Sequence, residues 1–358
     1  MDRVKFDPKE LEPSGYFRGM NPHAPPTPVY SSPISRKENF KALVRGETPL
    51  WMPHSNEFYL FMPSCVPDNW VRGMVSAFGP VSMDQFGGRD MFGVEWEYVP
   101  TVRGSMVRPG KPYVADIEHW EDYVTMPDLD SWDWEGCAKE SEALRKDGRI
   151  VKISMMTGLF ERLISFVDMT NAMIALVDED QQAAVHRLFG KLCDVYDKIF
   201  EKFETYFQPD AIWFHDDWGS QRAPFFSLDV CMEMVAPYLK KIADHCHEKG
   251  LWFEHHCCGK NELLVPAMIY AGVDMWQPQA MNDVEMLREK YGDKIIFSIA
   301  PPALKPDATE EEIEANAKAF VEKYAPTFAE KPFRVGTYFV DPRYSKYIYK
   351  YSRIALSK

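Results

Sequence analysis

From Pro49 onward the chain alternates short apolar runs with amphipathic helical patterns, and that alternation restricts its fold more than any other feature. Runs at 49–53, 91–98, 150–154, 210–215, 251–254, 273–276, 295–299 and 333–335 read as strands. Helical patterns lie between most of them. The longest, about 180–207, repeats Val185, Leu188, Leu192, Val195, Ile199 and Phe203 at three- and four-residue steps, the stripe of a core helix. Helix boundaries are marked as well. Ser227 is an N-cap for a helix that Gly250 closes, Thr309 and Glu312 form a capping box for a helix to Tyr324, and 35–46 reads as a short helix ended by Gly46.

Seven or eight such units, joined by short connections that cross over right-handed, predict a (β/α)8 TIM barrel. An open doubly wound sheet is the other architecture with this alternation, but neither G-x-G-x-x-G nor a phosphate loop occurs in the chain. Residues 1–36 are different. Pro8, Pro13, Pro22, Pro25, Pro26, Pro28 and Pro33 predict an extended arm without regular structure, wrapping either the body at 37–358 or a second copy in a homodimer.

Composition excludes several classes. At 358 residues, 46% hydrophobic and 27% charged, the chain has ample core for a globular domain. The net charge of −13 and the lack of any basic stripe argue against nucleic acid. Neither a signal peptide nor an apolar span long enough for a membrane is present, so the expected location is the cytoplasm. Seven scattered cysteines make no disulfide framework, and Cys193, Cys231 and Cys246 read as small buried hydrophobes.

Chemistry concentrates in two turns. His215, Asp216 and Asp217 follow one strand; Glu254, His255, His256, Cys257 and Cys258 end the next. In a barrel such strand ends converge on one mouth. Strand alternation puts Glu254 and His256 on one face, where a carboxylate beside an imidazole suits proton transfer, and Asp216 and Asp217 are further acid-base candidates. His256-x-Cys258 offers zinc an imidazole and a thiolate, although a core histidine beside a buried thiol has the same sequence. His54, Asn56, Glu57, His215, Trp218 and Trp276 are candidate substrate contacts, the tryptophans for a flat aromatic ligand or equally for core packing.

Several features also resemble a known family. Arg36-Lys-Glu-Asn-Phe-Lys-Ala-Leu-Val-Arg-Gly-Glu-Thr, Phe225-Phe-Ser-Leu-Asp-Val, Pro237-Tyr-Leu-Lys-Lys-Ile, His256-Cys-Cys-Gly and Ala271-Gly-Val-Asp-Met are similar, in this order, to the uroporphyrinogen decarboxylase superfamily. The resemblance implies a (β/α)8 barrel and two types of chemistry. Its decarboxylases carry an arginine-rich Arg-Gln-Ala-Gly-Arg segment where this chain has His54-Ser-Asn-Glu-Phe-Tyr. Its methyltransferases move a methyl group between a small molecule and the cobalt of a separate corrinoid protein, with zinc held by a His-x-Cys like His256 and Cys258 and by a later cysteine. Here Cys258 is the last cysteine, so zinc would need His215, Asp216, Asp217 or Glu254 in its place.

The resemblance therefore implies a methyltransferase that demethylates a small methoxylated, most simply aromatic, compound. No Asp-x-His-x-x-Gly corrinoid motif occurs, and the corrinoid is expected on a partner protein. Three alternatives remain open: a metal-dependent hydrolase or lyase using His215, Asp216, His255 and His256, a decarboxylase of the superfamily type, and a non-catalytic subunit that binds a corrinoid protein.

Overall fold

The computed structural model describes residues 4–17, 26–76, 81–101 and 104–357. In chain order it contains β1 (Pro13–Phe17), β2 (Thr27–Tyr30), α1 (Arg36–Val44), β3 (Phe58–Phe61), α2 (Pro67–Val71), β4 (Gly88–Arg89), β5 (Glu95–Val99) and β6 (Gly104–Val107). Next come α3 (Trp134–Arg145), β7 (Ile150–Met155), α4 (Leu159–Ala175), α5 (Glu179–Phe207), β8 (Ala211–His215), α6 (Leu228–Val230) and α7 (Ala236–Glu248). The chain closes with β9 (Trp252–His256), α8 (Val265–Tyr270), β10 (Met275–Trp276), α9 (Val284–Tyr291), β11 (Ile296–Ile299), α10 (Glu310–Tyr324), β12 (Phe333–Val335) and α11 (Pro342–Leu356). Seven strands, β3 and β7 to β12, are each followed by a helix. Among the described residues no helix is long and apolar enough to cross a membrane.

Contacts divide the chain into two compact units. The first is Met1–Tyr59, Lys146–Ile150 and Asp274–Lys358. In it β10, β11 and β12 lie parallel in that order, with Trp276 opposite Phe297 and Phe297 opposite Phe333. The expected strand at 49–53 is absent. Leu50 and Trp51 give their N–H groups to Asn39 Oδ1 while Asn39 Nδ2 donates to Trp51 O, so this side chain takes the bonds a strand would use. Only His54 makes a parallel bridge, to Val335.

The N-terminal arm has regular structure, contrary to expectation. β1 and β2 form an antiparallel ribbon, whose edges tolerate Pro13 and Pro28 because no further strand among the described residues needs their missing N–H. A short turn at Pro8–Leu11 supplies Glu10, whose carboxylate takes two bonds of 2.8 Å from Arg353 and one of 2.6 Å from Tyr349 on α11. Pro22 and Pro25 lie outside the described residues.

The second unit, Leu60–Arg145 and Val151–Val273, carries β7, β8 and β9 side by side and parallel. Register runs from Lys152, Ala211 and Trp252 upward to His215 opposite His256. α5 buries Val185, Leu188, Leu192, Val195, Ile199 and Phe203, as its periodicity predicts. Two differences from the expected elements matter. The strand expected at 91–98 begins at Glu95, because Asp90 Oδ1 captures the N–H groups of Phe92 and Val94 in a turn, and β5 joins β4 and β6 in an antiparallel insertion. α4 lacks a clear sequence signal, being broken at Asp168, whose φ is +66°. Arg162 of α4 ties this insertion down through a buried pairing with Asp68 and Asp90.

Candidate active site

β8 and β9 end in register, so the parallel sheet itself places His215 beside His256. The rings stack at 4.6 Å between centroids. β9 runs through His256 rather than stopping at Glu254, which makes the polar cluster the strand's own end. Trp213, two residues before His215 and on the same face, packs its indole 4.5 Å from the His256 ring. On the opposite face His255 sits between Phe214 and Trp218; neither of its nitrogens has a hydrogen-bond partner among the described residues, and burial pushes its pKa down to about 3. It is a neutral core histidine.

The turn after β8 sorts its two aspartates. Asp216 is fully buried and accepts from Phe160 N–H (3.1 Å), Glu161 N–H (2.9 Å) and Trp218 Nε1–H (2.9 Å). It caps the N-terminus of α4. Gly158 is required there, since a Cβ would lie 2.5 Å from Asp216 Cβ. Burial, helped by the Glu161 charge, pushes Asp216 up to about 7. Asp217 instead faces the histidines: a ligand atom from each of His215, Asp217 and His256 falls within 4.8 Å of the others. Burial raises the Asp217 pKa, against the pull of His215.

Cys258 borders this group. Its N–H donates to Asp217 Oδ1 at 2.7 Å, and its Sγ lies 3.3 Å from His256 Nε2. Cys257 turns the other way, with Sγ accepting from Trp218 N–H and from Asn261. Gly259 makes the turn possible. Its φ is +104° and a Cβ would lie 2.4 Å from the Gly219 carbonyl, so only glycine fits. Burial raises the Cys258 thiol, as does Asp217, and lowers His256 well below its ordinary value.

Three groups unflagged by the sequence complete the site. Glu161, the third residue of α4, accepts from His215 Nδ1 at 2.7 Å and from Arg72 Nη2 at 2.8 Å. Burial opposes the Glu161 charge, yet Arg72 and His215 hold its carboxyl far below the usual range. Burial likewise opposes the His215 imidazolium, and Glu161 and Asp217 raise it. Lys152 on β7 pairs with Glu254 at 2.7 Å, both buried.

The remaining candidates have other surroundings. Trp218 is fully buried, with its indole N–H on Asp216. In the first unit, Trp276 is buried against Phe297, Asn56 bonds both N–H and C=O of Val340, and Glu57 accepts from Trp51 Nε1 and from His54 N–H. These groups are spent inside the protein. His54 is buried, which lowers its pKa.

Two imidazoles, a carboxylate and a neighbouring thiol form the mixed N, O and S donor set that Zn²⁺ accepts, so the residues fit the metal that the sequence resemblance implies. Comparison with known proteins agrees on lineage. The family model for uroporphyrinogen decarboxylase (URO-D) matches residues 89–329. The chain belongs to the uroporphyrinogen decarboxylase family. Among solved structures it is similar to a methyltransferase from Methanosarcina mazei, 15% identical over 90% of this chain and 98% of that one, with a TM-score of 0.57. A catalytic domain of the Bacillus sp. JAMB-750 GH26 endo-β-1,4-mannanase is 11% identical over 55% and 58%, with a TM-score of 0.32. No curated protein matches in sequence. Family and likeness together make the fold a (β/α)8 TIM barrel, as the strand-helix alternation predicts.

Proposed function

We propose that this member of the uroporphyrinogen decarboxylase family is a methyltransferase that demethylates a small methoxylated, aromatic compound and delivers the methyl group to the cobalt of a corrinoid on a separate protein. One observation carries the reading: His215, Asp217 and His256 gather within 4.8 Å, and Cys258 Sγ lies 3.3 Å from His256 Nε2. The His-x-Cys pair alone is two ligands short of a zinc site. His215 and Asp217 supply what a later cysteine would otherwise provide, whereas Asp216 and Glu254 are engaged with a helix N-terminus and with Lys152.

His215, Asp217 and His256 would hold the metal, with Cys258 as a fourth donor that yields its place to the substrate. Bound there, zinc supplies Lewis acidity toward the ether oxygen. The methyl carbon exchanges its bond to oxygen for a bond to cobalt, the electron pair of cob(I)alamin forms the new bond, and the departing oxygen takes a proton from water. Trp213, packed on His256, presents an aromatic wall beside the histidines, and Asp217 orients the Cys258 turn through its N–H. The acid-base role considered for Glu254 has little to recommend it, because Lys152 holds the carboxylate as an ion pair.

The test is methyl transfer from a panel of methoxyarenes to excess cob(I)alamin by zinc-loaded protein, followed by formation of methylcobalamin. Turnover that disappears in His256→Ala supports the reading. A folded, zinc-replete protein inactive across the panel overturns it, and hydrolytic turnover without corrinoid selects the hydrolase instead.

A further inference from the structure

We infer that Glu161, itself anchored by Arg72, is the positioning residue of the metal centre: it fixes His215 in the tautomer that carries its proton on Nδ1 and leaves Nε2 for the metal. The inference rests on the reading of His215, Asp217 and His256 as ligands and adds residues that the His-x-Cys motif does not contain.

The geometry is a relay across three elements of one unit. Arg72 closes α2, Glu161 opens α4 and His215 ends β8. Glu161 Oε1 meets Arg72 Nη2 at 2.8 Å, while Oε2 meets His215 Nδ1 at 2.7 Å. All three side chains are nearly buried, at 12%, 12% and 6% exposure, so water does not compete for these bonds. Arg72 is fixed in turn by the face of Trp96, 5.0 Å from its guanidinium.

A carboxylate accepts only, so Nδ1 keeps its proton and Nε2 is the nitrogen at which a cation would replace a proton. Ring rotation is blocked as well, since the same bond sets the plane in which His215 stacks on His256. Carboxylates that orient a ligating imidazole in this way are worth roughly 10- to 100-fold in metal affinity. Glu161 is placed in turn by Asp216, whose Oδ1 accepts the Glu161 backbone N–H at 2.9 Å. The adjacent aspartates thus divide the labour: Asp217 faces the metal and Asp216 holds the helix that aims its outer shell.

The experiment measures zinc affinity by competition with a chromophoric chelator for the full chain, Glu161→Gln and Glu161→Ala, and records the visible spectrum of each Co²⁺-substituted form. Expected are a roughly 10- to 100-fold weaker affinity in Glu161→Ala, a smaller loss in the isosteric Glu161→Gln, and a changed Co²⁺ spectrum in both. Wild-type affinity and an unchanged spectrum in Glu161→Gln and Glu161→Ala, with zinc bound by the parent, overturn the positioning role alone. A parent chain that takes up no zinc overturns the metal reading and this inference together. Should Glu161→Ala not fold, Glu161→Gln decides between these results.

Discussion

Asp216→Asn separates the two adjacent aspartates by stability rather than by activity. Three buried donors converge on this carboxylate: Phe160 N–H and Trp218 Nε1–H on Oδ2, and Glu161 N–H on Oδ1. An asparagine keeps one acceptor oxygen. Its better orientation puts that oxygen at the Oδ2 position and turns an NH2 group toward the Glu161 N–H, losing one charge-assisted bond outright and leaving two neutral ones. At about 1.5–3 kcal/mol for a bond to a charged acceptor the loss is substantial, but a neutral side chain also relieves the buried charge that raises the Asp216 pKa, and the net cost is roughly 1–2 kcal/mol. Alanine loses all three and costs roughly 4–8 kcal/mol, a large part of the ~5–15 kcal/mol that holds a domain together. Urea unfolding at pH 8, where the parent carboxyl, raised to about 7, is charged, measures both by linear extrapolation. Stability of Asp216→Asn within about 0.5 kcal/mol of the parent, coupled to loss of zinc, would refute the capping assignment and make Asp216 a ligand.

Other perturbations probe separate parts of the molecule. Gly259→Ala forces a side chain onto a φ of +104° and against the Gly219 carbonyl, so urea unfolding should register a loss of roughly 2–5 kcal/mol, whereas a loss below 1 would mean that the turn gives way freely. Lys152→Met removes the buried cation paired with Glu254 and should cost about 3–5 kcal/mol; adding Glu254→Gln should restore much of it, a coupling that a double-mutant cycle measures. Glu10→Gln should cost about 3 kcal/mol at pH 7 by removing the partner of Arg353. Burial opposes the Glu10 charge but Arg353 and Tyr349 lower its pKa below the ordinary 4.5, so this stability is present above pH 4.5 and fades as pH falls through the lower folded-state value. The gap between parent and variant should close in acid; a gap unchanged down to pH 2 would contradict the assignment.

Much of the architecture is readable because period and punctuation agree. The 3.6-residue stripe of α5, the capping box at Thr309 and Glu312, and the apolar run ending at His215 all lie where the sequence places them. Prediction fails where side chains replace backbone partners. Asn39 takes the bonds of 49–53, and Asp90 turns 91–94 out of a strand, neither of which leaves a trace in hydrophobic period. In the site, His256 and Cys258 announce themselves by proximity along the chain, and His215 and Asp217 by ending the preceding strand. Glu161 and Arg72 do not. They reach His215 from 54 and 143 residues away, through a helix broken by Asp168, and only the packing of α2 and α4 brings them there. Aromatic residues mislead for a related reason, since Trp218 and Trp276 near strand ends are buried in the core as much as Trp213 beside the histidines.

The most direct test of the metal centre is zinc K-edge X-ray absorption on the zinc-loaded chain, with bound zinc counted by elemental analysis. Expected is one zinc per chain in a shell of imidazole nitrogen, carboxylate oxygen and a single sulfur, with the sulfur lost in Cys258→Ala and the imidazole signal reduced in His215→Ala. No bound zinc, or a shell without imidazole, would contradict the metal assignment.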